Sequence, residues 1–445
     1  MMTQKHTSKL SKALILAAAL TLPGTSLAAG FQLSEQSGNG LGRAFAGGAA
    51  WAENATTVFY NPAGMTRLED TQLVFGASVI TLGADFDRTV TVDAVGQPLT
   101  GGEGGDVGKL GGVPTGYFVM PIDEKWTFGL GLNAPFGLST DHPIDWVGRY
   151  QAVYSHVSTF NINPSMGYEI DDNWSVGFGL NLQNFRVKLT NMVDYGAVCF
   201  GNVDPLTCSG IGLTPQSYDG YAEVEGDGWN FGVNFGVMWA NDATRVGFHY
   251  RGSVDHELEG DATFIGAPAL FAASDVFVDT GIKADFKTPE TLSLSVVHAI
   301  DNNWTLSFDA TRTGWDTFQE LRIRYDSAQP DTVEDYLWED AWRYAIGVDY
   351  KYSNEWTFRA GYAFDETPIA IEEARTPRLP DADRNWLSFG ASYKMNSNMM
   401  LNFGYSKLFL DDDIELNKVG SQGDTLRGTY EAAADIFGAE LVYSF

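Results

Sequence analysis

From Trp174 onward every second residue is apolar. Trp174, Val176, Phe178, Leu180 and Leu182 alternate with Ser175, Gly177, Gly179, Asn181 and Gln183. A strict period of two specifies a β-strand with one apolar face and one polar or small face. A polar triplet, Asp171-Asp172-Asn173, stands directly before the Trp. The same device recurs at Asp123-Glu124-Lys125 before Trp126, at Asp301-Asn302-Asn303 before Trp304 and at Ser353-Asn354-Glu355 before Trp356. After each Trp the alternation continues, for example through Phe358, Ala360, Tyr362 and Phe364.

Such a strand suits a soluble sandwich, apolar face inward, or a membrane barrel, apolar face toward lipid. Four features favour the barrel. The strands are long, as a tilted span requires. Tight turns alternate with connections of tens of residues, matching short periplasmic turns and long external loops. A Trp follows each of those turns at the height of a membrane interface. The chain ends with Phe437, Ala439, Leu441, Tyr443 and Phe445 on one face, stopping at an aromatic. Outer-membrane barrels commonly end this way, which makes Phe445 the expected handle for the barrel-assembly machinery. The predicted fold is all-β, a fourteen-stranded antiparallel transmembrane barrel. Its strands are expected near 71–92, 113–121, 126–138, 150–169, 174–192, 229–239, 244–262, 282–299, 304–325, 342–352, 356–368, 386–394, 399–409 and 429–445. External loops then fall near 93–112, 139–149, 193–228, 263–281, 326–341, 369–385 and 410–428.

Residues 1–28 read as a secretory signal peptide. Lys5, Lys9 and Lys12 precede an apolar run too short to span a bilayer, and Ser26-Leu27-Ala28 suits cleavage. The formal net charge is −29, and losing three lysines makes it more negative still, which excludes an electrostatic nucleic-acid binder. In an exported chain Cys199 and Cys208 are expected to pair and staple an external loop. No G-x-S-x-G, no His-rich metal spacing and no strand-anchored G-x-G-x-x-G is present, so neither an enzyme nor a cofactor or metal site is expected. Histidines 142, 156, 249, 256 and 298 are scattered.

Residues 29–70 lack alternation and are dense in Gly and Ala. Phe31, Leu33, Leu41, Phe45, Trp51, Val58, Phe59 and Tyr60 are too many apolar groups to leave in water. The segment is expected to be a hatch inside the lumen of a barrel formed by 71–445. "AGFQLSEQSGNGLGRAFAGGAA" followed by "FYNPAGM" resembles the start of the FadL family of outer-membrane long-chain fatty acid transporters. The resemblance runs on through "DAWRYAIG" and "WTFRAGYAFDETP". It implies a hatch-closed barrel of fourteen strands. It also implies that a hydrophobic ligand binds outside, moves to a pocket at the hatch and leaves sideways through a gap at a kinked third strand. Phe31 matches the family's hatch aromatic, and Asn61, Pro62 and Ala63 match a motif that sits by the kink. In this sequence Pro135-Phe136-Gly137 is the physical candidate for that kink, because Pro cannot donate to a ladder and Gly permits a bend.

A fatty acid needs an apolar slot and a cation for its carboxylate. The family's basic pocket residues do not carry over: Asn191 stands where an arginine is expected and Glu334 where a lysine is. Arg186, Lys188, Arg322 and Arg324 are candidates, although alternation turns them outward. Asp309, Arg359 and Asp365 face the lumen, where pairing with one another or with the hatch is the expected role. Acidic loops holding Asp331, Glu334, Asp335, Glu339, Asp340 and Asp411 to Asp413 repel carboxylates. They suit solubility, cation bridges to lipopolysaccharide, or a neutral ligand such as an alkane or monoaromatic hydrocarbon. The expected partners are therefore a hydrophobic small molecule and outer-membrane lipid, and the expected state is a monomer.

Overall fold

A computed structural model describes residues 30–410 and 414–445; the expected leader lies outside the described residues. Strands that break and resume are counted once. They are β1 (Gln72–Val92), β2 (Leu110–Pro121), β3 (Trp126–Asn133, resuming at Gly137–Asp141), β4 (Tyr154–Glu169) and β5 (Trp174–Asp194). Next come β6 (Asp219–Ala240), β7 (Thr244–Arg251 and Val254–Ile265), β8 (Thr280–Thr288 and Thr291–Ala299) and β9 (Trp304–Thr313 and Glu320–Tyr325). The last are β10 (Thr332–Asp335 and Ala341–Lys351), β11 (Trp356–Asp365), β12 (Arg384–Lys394), β13 (Met399–Leu410 and Ile414–Val419) and β14 (Thr425–Ser444). Each pairs antiparallel with its neighbours, and β14 closes on β1 from Gln72 opposite Ser444 to Val92 opposite Thr425. Closure pairs the sheet edges all round, with a break between β2 and β3, and so spares backbone groups in lipid the several kcal/mol that each costs when unpaired.

The polar triplets are Asx-type turns. Asp171 Oδ1 accepts from Asn173 N and Trp174 N, both at 2.9 Å. Asp123 and Asp301 repeat this, and Ser353 Oγ does so with Glu355 N and Trp356 N. The donated N–H groups hold the Asp123, Asp171 and Asp301 carboxyls below the usual range. Three of the four following Trp residues meet an aromatic ring across the ladder, and Trp174 stands opposite Trp239 in register. Trp126 lies 4.7 Å from Tyr168, Trp304 4.4 Å from Tyr350 and Trp356 4.6 Å from Tyr393. Phe178, Leu180, Leu182, Phe231 and Val233 are exposed outward, whereas Ser175, Asn181 and Gln183 are buried inward.

Three predicted loops are shorter than expected, among them 326–341, where Thr332–Asp335 pairs with the outer segment of β9. The 193–228 connection loses its second limb, because β6 starts at Asp219, ten residues before the expected position near 229. Residues 219–228 (DGYAEVEGDG) carry Glu223, Glu225 and Asp227 where a lipid-facing strand would be apolar, yet they pair with β5 up to Asp194 opposite Asp219. They rise above lipid, where the outward carboxylates meet water and the alternation persists with charge outside and Ala222 and Val224 inside. For the same reason 414–419 extends β13 against the start of β14.

The hatch is built from single helical turns, α1 (Gly38–Leu41), α2 (Gly48–Trp51) and α3 (Thr57–Tyr60), and a 3-10 segment, Pro62–Arg67. They pack against lumen glycines. A Cβ on Gly390 of β12 would lie 2.7 Å from the Gly42 Cα, and one on Gly404 of β13 2.6 Å from the Gly38 carbonyl oxygen. The small residues on the inner face therefore admit the hatch backbone.

Candidate functional site

The third strand breaks where Pro135 stands. β2 and β3 are laddered as far as Gly116 opposite Leu132 and meet again only at the bridge of Gly108 to Thr140. The register is unchanged across the interruption. Among the described residues no ladder pair joins 109–115 to 133–139. The strand also turns inward: Gly137 to Thr140 are all buried, with alternation lost. The exposed edge is met by the hatch end. Leu33 N donates to the Pro135 carbonyl at 2.8 Å and Gly137 N to the Phe31 carbonyl at 2.9 Å, flanking a bridge of Gln32 to Phe136. Gln36 Nε2 adds a bond to the Ala134 carbonyl at 2.8 Å. Pro135 thus interrupts the strand rather than ending it, and Phe31 to Gln36 occupy the break.

Asn61, Pro62 and Ala63 lie elsewhere on the wall. Asn61 Nδ2 donates to the Ala49 carbonyl at 2.7 Å and the Val237 carbonyl at 3.1 Å, while its Oδ1 caps Ala63 N at 3.0 Å. Ser175 Oγ donates to the Ala63 carbonyl at 3.0 Å. The motif anchors the hatch to β5 and β6; the segment on the kink itself is Phe31 to Gln36.

Above the hatch the side-chain code inverts. Along the outer halves of β7 and β8, Leu258, Ala262, Ile282, Ala284 and Phe286 are buried inward. Glu257, Glu259, Asp261, Lys283 and Asp285 occupy the other face. The barrel there stands in water and encloses an apolar lumen. Its centre is Phe31, whose ring lies 4.9 Å from Trp315, 5.7 Å from Trp338, 5.8 Å from Phe286 and 6.0 Å from Phe136. A cavity of about 50 Å³ opens beside it, lined by Phe185, Phe286, Phe318, Trp338, Leu258 and Arg378.

The inversion decides where the candidate cations go. Arg186, Lys188, Arg322 and Arg324 stay on the outer face, and none of them lines the cavity at Phe31. Lys188 pairs with Glu223 at 2.6 Å, Arg322 with Glu320 at 2.8 Å and Arg324 with Asp285 at 2.8 Å. Arg186 is exposed and opposite Asp227 in register. The cation on the pocket is Arg378, from the loop before β12. Its Nη1 donates to Ser155 Oγ at 3.1 Å and the Thr190 carbonyl at 3.3 Å. Its loop has no periodicity and so carried no strand signal. The usable sign was a Pro-Arg-Leu-Pro run, an arginine flanked by apolar residues.

Below the pocket the lumen charges tie down the hatch. Arg43 bridges Glu53 at 2.7 Å and Asp349 at 3.0 Å, and Arg359 reaches the same Asp349 oxygen at 2.7 Å. Asp365 pairs with Arg384 at 3.1 Å, and Asp309 accepts from Thr311 Oγ1 at 2.8 Å and from Ser295. Glu35 is different. It is buried in the hatch, its Oε2 has no hydrogen-bond partner, and burial pushes its carboxyl from 4.5 up to about 7. Below pH 4.5 the group is neutral whether the hatch is seated or released, so seating costs nothing. As pH rises from 4.5 to 7 only the released form ionises. Seating should therefore weaken by on the order of 3 kcal/mol over that window. Amide hydrogen exchange of hatch residues at pH 5 and pH 8 should show less protection at pH 8 after correction for intrinsic rates, and Glu35→Gln should remove the difference. Equal protection in the wild type would refute the assignment.

The external staple is formed: Cys199 and Cys208 are disulfide-bonded, on two short helices (Tyr195–Asn202 and Pro205–Gly210) above β5. Asp411 to Asp413 lie outside the described residues. Among the described residues no cluster of His, Cys, Asp or Glu could hold a metal ion.

A closed antiparallel barrel with an internal hatch, a lipid-facing apolar belt and an apolar external lumen defines an outer-membrane transport barrel. The outer-membrane transport protein family (OMPP1/FadL/TodX) matches residues 19–445, and the chain belongs to that family. It is 29% identical to the long-chain fatty acid transport protein of Escherichia coli O6:H1, over 97% of this chain and 98% of that one. A Pseudomonas aeruginosa FadL homologue superposes with a TM-score of 0.86 at 25% identity, covering 94% of this chain and all of the other. The toluene transporter TodX of P. putida shares the fold, with a TM-score of 0.66 at 19% identity over 88% of this chain and 94% of its own. The protein is an outer-membrane transporter of hydrophobic compounds.

Proposed function

We propose that this barrel takes up long-chain fatty acids by diffusion, through the pocket at Phe31 and sideways through the break between β2 and β3. One observation carries the reading: Phe31 is part of both. Its ring closes the aromatic pocket, and its carbonyl accepts from Gly137 on the kinked strand. A tail that displaces the ring moves the segment that covers the break, so binding and opening are linked. A cavity of about 80 Å³ runs from Leu33, Phe45 and Tyr60 to Pro135 and Phe136. On the periplasmic side of the hatch lies a vestibule of about 690 Å³, lined by Glu53, Arg67, Asp70, Arg245 and Arg359. Moving an apolar tail through it would cost on the order of 0.8 kcal/mol for every CH₂ that leaves an apolar wall for water. Lateral exit into lipid avoids that cost.

The likeness of fold to a toluene transporter keeps a second reading in play, uptake of neutral hydrocarbons. The acidic external loops favour it by repelling carboxylates. Whole-cell uptake in an outer-membrane transport-deficient host, with a fatty acid and the alkane of equal chain length, separates the two. Accumulation of the fatty acid above the empty-vector rate supports the lead reading. Accumulation of the alkane alone replaces it, and freely conducting pores in planar bilayers would refute a hatch-closed route altogether.

A further inference from the structure

We infer that Glu334 is a built-in carboxylate surrogate for Arg378, and that this pair sets which head group the pocket accepts. The inference rests on the Phe31 pocket being a ligand station. Arg378 is the one cation among the described residues lining that pocket. Its side chain is 8% exposed, and its Nε is buried without a hydrogen-bond partner. A guanidinium held so far from water needs a counter-charge. What faces it is Glu334 Oε2, 3.6 Å from Nε, which is within ion-pair range but beyond a hydrogen bond. Glu334 is 24% exposed, so water can receive it if it leaves. The two sit on different elements: Glu334 is on the outer segment of β10, facing Leu321 of β9, and Arg378 is on the loop before β12.

The arrangement has two consequences. A neutral hydrocarbon can fill the aromatic space while Glu334 still balances Arg378, so no buried charge is stranded. A fatty carboxylate instead competes for Nε. It can come within hydrogen-bond distance, which Glu334 does not, and charge-assisted bonds are roughly twice as strong as neutral ones. The displaced Glu334 swings toward solvent. Glu334 therefore taxes anionic ligands and leaves neutral ones alone. Arg378 supplies the attraction that the acidic loops otherwise oppose.

Calorimetric titration of the intact barrel in detergent, with a long-chain fatty acid and the matching alkane, tests this. Glu334→Gln should tighten the fatty acid about tenfold and leave the alkane within twofold, as removal of a charged competitor requires. Arg378→Met should weaken the fatty acid by at least about tenfold and spare the alkane. In the wild type, fatty-acid affinity should fall as pH drops through the ligand's own titration. Unshifted electrophoretic heat-modifiability shows that each variant barrel is closed. Glu334→Gln changing both ligands equally, or neither, would overturn the inference while leaving uptake intact. A wild-type protein that binds neither ligand would instead sink the uptake reading.

Discussion

Replacing Pro135 and Gly137 together by valine should cut fatty-acid uptake roughly a hundredfold while leaving the barrel folded. The estimate follows from the break in the ladder. Residues 109–115 and 133–139 already stand in register, since the bridge of Gly108 to Thr140 continues the pairing that ends at Gly116 and Leu132. Pro135 withholds an N–H, and Gly137 has little preference for extended backbone. Valine supplies the donor and the β-branched side chain that favours a strand. The added Cβ at 137 would meet Leu33 Cδ1 at 3.0 Å, the far end of a side chain that can move aside. If about three ladder bonds form, at about 1 kcal/mol each, every exit event must break them, and the rate falls by about two orders of magnitude. Binding at the pocket should persist, because Arg378 and the rings of Trp315, Phe318 and Trp338 are retained. Uptake at the wild-type rate, with closed barrels confirmed by heat-modifiability, would remove lateral exit from the mechanism.

The barrel was legible in the sequence because its code is local. Period two, an Asx-type turn and a Trp repeat within a dozen residues, and their meaning depends only on lipid lying outside. The site was less legible because its code changes with height. Phe185 falls on the face otherwise given to Ser175, Gly177 and Gln183, and Lys283 and Asp285 flank Ala284 and Phe286 with charge outward. Read with the lipid rule, Arg186, Lys188, Arg322 and Arg324 looked like side chains exempt from alternation. In fact alternation holds and only the solvent outside has changed. An aromatic on the small-residue face was the sign that the lumen had become apolar. Arg378 and Trp338 lie in expected loops and Trp315 in a 3-10 turn that interrupts β9, and their convergence on Phe31 is a long-range property that no window of sequence contains.

The second large effect should come from Arg43. Arg43→Met should loosen the hatch by about 3–5 kcal/mol, the cost of removing one partner of the buried Asp349 carboxylate, with Glu53 beside it at the vestibule wall. Glu53 shows why. Burial alone would raise its carboxyl, but Arg43 and Arg359 outweigh that and hold it low. Without Arg43, Glu53 and Asp349 must share Arg359, which lies 3.7 Å from the first and 2.7 Å from the second. The Arg43 guanidinium also covers the Trp51 ring at 3.9 Å, a contact methionine replaces only in part. A change of that size raises the released population by about two to four orders of magnitude. In planar bilayers it should appear as frequent openings where the wild type is nearly silent. Losing the carboxylates with the arginine should be milder, since an absent ion pair costs less than a broken one. Arg43→Met with Glu53→Gln and Asp349→Asn is therefore expected to conduct less than Arg43→Met alone. If the triple variant conducts more, the cluster holds the hatch by additive contacts rather than by charge balance. If Arg43→Met stays as silent as the wild type, the hatch is held elsewhere, and the bonds of Phe31 and Leu33 to the kinked strand become its principal fastening.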